Sequence, residues 1–170
     1  MGNNRLLRLL KHRWFDESDS RRALGPEVMG RLQQRVAASE RAHSGEIRVC
    51  VEAGLPLSYL WRGLTARERA LTMFGKLRVW DTAHNNGVLI YLLLAEHAIE
   101  IVADRGLNAH VSPAQWAAIV ASMREAFRAR HHEEGLNAAI DAVDALLRRH
   151  FPLAAGQTNP NELPDQPALR

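Results

Sequence analysis

A chain of 170 residues, 46% of them hydrophobic, fits one domain with a sizeable core. Its formal net charge of +3 is too small to single out a nucleic-acid partner, and its one cysteine excludes an internal disulfide framework and a Cys-rich zinc site. No apolar run approaches the roughly 18–20 residues needed to cross a bilayer. Leu6-Leu7-Arg8-Leu9-Leu10 is too short for the apolar region of a signal peptide, so the expected location is the cytoplasm.

Residues 1–25 read as a basic lead-in, with Arg5, Arg8, Lys11 and Arg13 and a leucine pattern that suits a short helix. Pro26 then opens a helix, where its missing N–H costs nothing, and Val28, Met29, Leu32, Val36 and Ala37 form the apolar stripe. Ser44-Gly45 ends it. In GEIRVCVEA, Ile47, Val49 and Val51 alternate with Arg48, Cys50 and Glu52, which predicts a strand with one strongly buried face. Cys50 reads as a small buried hydrophobe.

Gly54 to Gly63, with Pro56, Tyr59 and Trp61, reads as a loop. Thr65 and Glu68 then have the spacing of a capping box, followed by a helix with Ala70, Leu71, Phe74 and Leu77 inward. Gly87 to Leu94 is apolar on both faces, the pattern of a central strand. Ala95 to Ala98 reverse the chain, and Ile99, Ile101 and Ala103 alternate with Glu100 and Val102. Ser112-Pro113 starts another helix with Trp116, Ile119, Val120, Met123 and Phe127 on its inner face. A further helix runs from about Glu133 to His150, and Phe151-Pro152 stops it. Trp80 and Trp116 read as core aromatics. Residues 152–170, rich in Pro, Asn and Gln, read as a disordered tail.

Connection rules assemble these elements. The first two strands flank a helix, so they should be parallel with a right-handed crossover, and the third should be antiparallel to the second. The expected α/β fold is a three-layer α/β/α sandwich over residues 26–151, with a small mixed sheet and about four main helices.

That topology has a chemical consequence. Glu46 begins the first strand, Asn85-Asn86 precede the second, and Asp104-Arg105 follow the third, so all lie at one end of the sheet. Asp81 and His84 sit in the turn beside them. Carboxylates, amide oxygens and nearby helix C-termini suit a hard divalent cation such as calcium or magnesium. Plainer roles stand beside that one: Asn85, Asn86 and Gly87 as turn residues, Asp81 as a cap, Asp104 with Arg105 as a local ion pair, Glu46 as a partner of Arg48 or Arg105. His131-His132-Glu133-Glu134 point in different directions if helical, and fit a helix start better than a metal site.

The run WDTAHNNGVLIYLLL, followed by EIVADRG and preceded by GEIRV and a helix containing ARERA, resembles the TPM domain family over residues 26–151. That family is related to a thylakoid-lumen acid phosphatase, and its polar signature matches Glu46, Asp81, Asn86, Gly87, Asp104 and Gly106. The resemblance implies an α/β/α fold, an acidic groove that takes calcium in some relatives, and phosphatase activity in some members. The sheet-end cluster and the resemblance together give Glu46, Asp81, Asn85, Asn86 and Asp104 as expected metal ligands, calcium before magnesium, with no organic cofactor. Bacterial relatives often carry membrane anchors, which this sequence does not show.

The chain has no GxxxxGK[ST] loop, no GxSxG elbow and no CxxxxxR after Cys50. A phosphatase here would have to be metal-assisted, with Asp81 or Asp104 holding the ion and Arg105 steadying phosphate oxygens. The alternative is a non-catalytic interaction module that docks on a membrane protein or membrane surface, motivated by the basic N-terminus and by Tyr59–Trp61. A nucleic-acid partner is not expected.

Overall fold

The structure is a computed structural model that describes residues 2–14, 18 and 22–170, with side chains from Leu7 onward. Its strands are β1 (Glu46–Glu52), β2 (Gly87–Leu93), β3 (Ala98–Ala103) and β4 (Ala168–Leu169), in the order β3-β2-β1-β4. β1 runs parallel to β2, and β3 antiparallel to it, as connection lengths require. The described helices are α1 (Gly2–Arg13), α2 (Pro26–Ser39), α3 (Leu57–Arg62), α4 (Ala66–Lys76), α5 (Arg105–Asn108), α6 (Pro113–Arg128) and α7 (His132–His150).

Side-chain alternation in β2 creates the three layers. Val88, Ile90 and Leu92 join Ile47, Val49, Val51 and the inner faces of α2, α6 and α7 in one core. Leu89, Tyr91 and Leu93 meet Leu55, Leu60, Ala70 and Met73 on the other side, under α3 and α4. Every residue of β2 is buried, which is why its sequence shows no polar alternation. Both expected cap signals operate: Thr65 and Ser112 each accept from the backbone N–H three residues on, and Glu68 and Gln115 return the bond.

Several expectations change. β1 is buried on both faces, because Cys50 and Glu52 lie under α4. The stretch from Gly54 to Gly63 is not all loop. Pro56 starts α3, and Gly63 ends it with φ of +69°, a left-handed angle that costs glycine little. Leu71 is exposed while Ala66 and Met73 take the inward positions of α4, and Trp80 is half-exposed rather than core.

The largest difference is at the C-terminus. Residues expected as a disordered tail run back along the domain: Leu163 is buried, and Ala168–Leu169 pair with Cys50–Val51 as a parallel edge strand. Arg48 donates to the Pro164 carbonyl and, at 2.5 Å, to that of Gln166. Backbone bonds at 2.9 and 3.2 Å tie Arg170 to Val51 and Ala53. The lead-in is likewise attached, through α1. The side chains of Arg5 and Leu6 lie outside the described residues.

Candidate cation site at the sheet end

Strand register sets the first contacts. Glu46 pairs with Gly87, and the Asp104 N–H donates to the Gly87 carbonyl at 2.9 Å. Glu46, Asn86 and Asp104 therefore stand on neighbouring strands at one end of the sheet, as their sequence positions predict.

Glu46 is fully buried. Its Oε2 accepts the Leu163 N–H at 3.0 Å, while Oε1 has no donor. Burial pushes its pKa up, the N–H groups of Glu162 and Leu163 partly offset this, and the charges of Glu162 and Asp165 add to the rise. Glu40, also buried, accepts the Ile47 N–H at 2.9 Å. It shares a hydrogen bond with Asp165 and is pushed up to about 9, chiefly by burial. Glu40 thus keeps its proton at neutral pH. The sequence places it on the polar side of a helix end, so no sequence signal marks it.

Asn86 is fully buried too. Its Nδ2 donates to the Ser44 carbonyl at 3.0 Å and to Ser44 Oγ at 3.3 Å, which leaves Oδ1 without a donor. Asp104 caps α5, with Oδ1 accepting the Arg105 N–H at 2.7 Å and Oδ2 buried and unpartnered. Arg105 is not ion-paired to Asp104. Its Nε donates to Asn85 Oδ1 at 3.1 Å. Asn85 has the left-handed φ of +51° expected of a turn asparagine, and its carbonyl accepts the Gly106 N–H at 2.9 Å. Asp81 pairs with Arg78 on the surface, and His84 is exposed. Glu46 pairs with neither Arg48 nor Arg105, since both guanidinium groups are engaged elsewhere.

Glu46, Asn86 and Asp104 thus share one end of the sheet, while Asp81 and Asn85 accept from arginines. Glu46 Oε1, Asn86 Oδ1 and Asp104 Oδ2 are acceptors without donors, joined by Asp165 Oδ1 from the C-terminal segment. A buried acceptor left without a partner costs about 1–3 kcal/mol. A proton or a cation on these oxygens relieves that cost, so carboxylate and amide oxygens of this kind fit a hard cation. Among the described residues, no group of three or more His, Cys, Asp or Glu side chains is disposed to hold a metal ion. Any cation would therefore draw on Asn86 and on water as well.

Two other polar clusters have no sequence signal. Ser39 Oγ lies 2.9 Å from His43 Nε2 and donates to Asp144 Oδ1 at 2.5 Å. In a serine-nucleophile triad the carboxylate orients the far ring nitrogen. Here serine and aspartate crowd the same one, and His43 Nδ1 faces the Gly45 carbonyl at 3.0 Å. His43 is fully buried, its pKa lowered by that burial, and the cluster ties α2 to α7. At the opposite end of the parallel strands, Arg69 Nε and Nη2 donate to Glu52 at 2.7 and 2.5 Å, and the Tyr91 hydroxyl donates to Glu52 at 2.7 Å. That closed network leaves no oxygen for a ligand. A groove of about 720 Å³ runs along β3 between Arg67, Glu100, Trp116 and Arg124, away from the oxygen cluster.

A family model described as the TPM domain matches residues 18–146. The chain belongs to the TPM domain family. Its match takes in β1, β2, β3 and every residue of the oxygen cluster except Asp165. This TPM domain is similar to the NMR structure of the BA42 protein from the psychrophilic bacterium Bizionia argentinensis. The two share 26% identity and a TM-score of 0.73 over 85% of this chain and 94% of that one. The N-terminal domain of a P. gingivalis protein shares the fold at 20% identity, with a TM-score of 0.60 over 77% of this chain and 82% of that one. No protein of curated function matches the chain. Among the described residues, no helix of this TPM domain is long and apolar enough to cross a membrane.

Proposed function

We propose that this TPM domain binds a divalent cation, calcium before magnesium, at the sheet end framed by Glu46, Asn86 and Asp104. One observation carries the reading: three buried side-chain oxygens at the ends of adjacent strands, on Glu46, Asn86 and Asp104, lack hydrogen-bond donors. Calcium accepts carboxylate and amide oxygens and tolerates irregular coordination completed by water, whereas magnesium demands a near-ideal octahedron. Asp81 and Asn85 drop out of the primary ligand set, because Asp81 faces out to Arg78 at the surface and Asn85 Oδ1 accepts from Arg105.

A bound cation would supply Lewis-acid polarisation of a phosphoryl oxygen. Arg105, exposed beside Asp104, would steady the remaining phosphate oxygens, and Asp104 would hold the ion. Phosphate-ester hydrolysis is therefore the reaction that the proposed site could assist, at a low rate given its few carboxylates.

The test is calorimetric titration of calcium into the metal-free chain, its Asp104→Asn variant and its Glu46→Gln variant, with hydrolysis of an aryl phosphate followed in parallel. Loss of both binding and hydrolysis in folded Asp104→Asn supports the reading. Undiminished calcium binding in both variants would overturn the site, and undiminished hydrolysis would overturn the catalytic part.

A further inference from the structure

The face that carries α1 and α3 leaves large apolar side chains uncovered. On α1, Leu7, Leu10 and Trp14 follow an i, i+3, i+7 spacing and so share one stripe. All three are exposed, Trp14 by 82%. Another side of the same helix is fixed to the domain. Arg8 donates to Glu96 Oε1 and to the Leu64 carbonyl, both at 2.7 Å. Buried His12 contacts Glu96 Oε1 at 2.9 Å and accepts the Leu55 N–H at 3.0 Å. These bonds hold α1 with its apolar stripe turned outward.

α3 adds a second stripe. Leu57 and Trp61, one turn apart, are exposed, Trp61 by 70%, while Leu60 points inward and is buried. The two helices flank one hollow of about 430 Å³ whose walls include Leu9, Leu10, Leu57 and Trp61. Five of the seven exposed large hydrophobic side chains described belong to this face, which makes it a patch rather than scatter.

Charge decides what covers it. Lys11, Arg13 and Arg62 are exposed around the patch, residues 1–14 and 53–67 contain no acid, and Asp16, Glu17 and Asp19 come next in sequence after Trp14. A second copy docked face to face would set these cations against their own counterparts. A surface of anionic headgroups complements them, and tryptophan favours the boundary between headgroups and acyl chains. We propose that this face docks the domain on a membrane containing anionic lipids, with Trp14, Trp61 and the leucines at that boundary and Lys11, Arg13 and Arg62 against lipid phosphates. The inference is independent of the cation site.

The test is co-sedimentation of the full chain with phosphatidylcholine vesicles and with vesicles that also contain phosphatidylglycerol. Chelator is present so that no divalent cation bridges protein and lipid. The expected result is pelleting with the anionic vesicles only, weakened by salt, and at least about tenfold weaker for Trp14→Ser/Trp61→Ser. Both residues are exposed, so this variant should melt like the parent. No pelleting, equal pelleting on neutral vesicles, or undiminished pelleting of the variant overturns the proposal. So does a concentration-dependent dimer that the double variant abolishes, since a second copy would then own the face.

Discussion

Leu163 donates its backbone N–H to Glu46 Oε2 at 3.0 Å, joining positions 117 residues apart. The C-terminal segment is thereby part of the candidate site's wall, with Asp165 beside Glu40 and the Leu163 side chain in the core under α4.

Leu163→Ala should therefore cost about 2–3 kcal/mol in urea unfolding, as removal of a buried leucine does. A segment free of the domain would show a change within about 0.5 kcal/mol, the ordinary size of a surface substitution.

The glycines of NNG and DRG make a second test. Their φ angles are not left-handed; close backbone approach is what they serve. A Cβ on Gly106 would lie 2.5 Å from the Asn85 carbonyl oxygen and 2.6 Å from that of His84, and one on Gly87 would overlap the Val79 carbonyl. Gly87→Ala and Gly106→Ala should each destabilise by about 2–3 kcal/mol. Gly30→Ala, on α2 with open space around it, should stabilise by roughly 0.5–1 kcal/mol. Equal effects at all three positions would contradict the close-approach account.

Periodicity and caps made much of the fold legible. The two-sided burial of β2 shows in its unbroken apolar run, and Thr65–Glu68 and Ser112–Gln115 mark two helix starts without any tertiary information. The C-terminal segment was not legible, because its docking rests on main-chain groups. Leu163 N, the Pro164 and Gln166 carbonyls and Arg170 carry no sequence identity that announces a partner. For the site, strand order alone brings Glu46, Asn86 and Asp104 to one end. Sequence could not foresee that Arg78 takes Asp81, that Arg105 takes Asn85, or that Glu40 turns inward.

The buried Glu52–Arg69 pair should be strongly coupled. Either single change, Glu52→Met or Arg69→Met, strands one charge in the core and should cost about 3–5 kcal/mol. The double change removes both charges and should cost far less than the sum. Additive losses in a double-mutant cycle would show that the two groups do not depend on each other.

Glu40 supplies a pH test. The folded chain holds its proton up to about pH 9, whereas the unfolded chain releases it near the ordinary carboxyl value of 4.5. The folded state binds the extra proton between those values, so this group's contribution to stability declines as pH rises through that window. Glu46 and Asp165 face the same carboxyl and reinforce the trend. Glu40→Gln keeps an acceptor for Ile47 N–H but cannot ionise. In chelator, its thermal midpoint should lie near the parent's at about pH 5 and several degrees above it at about pH 8.5. A constant difference across that range would show that Glu40 ionises normally.

Calcium titration of the metal-free chain, followed by amide chemical shifts, tests the central claim most directly. The account predicts saturable shifts concentrated at Glu46, Asn86–Gly87 and Asp104–Gly106, with the Glu52–Arg69 end of the sheet unchanged. Silence at those amides under millimolar calcium, or shifts scattered over exposed carboxylates, would contradict it.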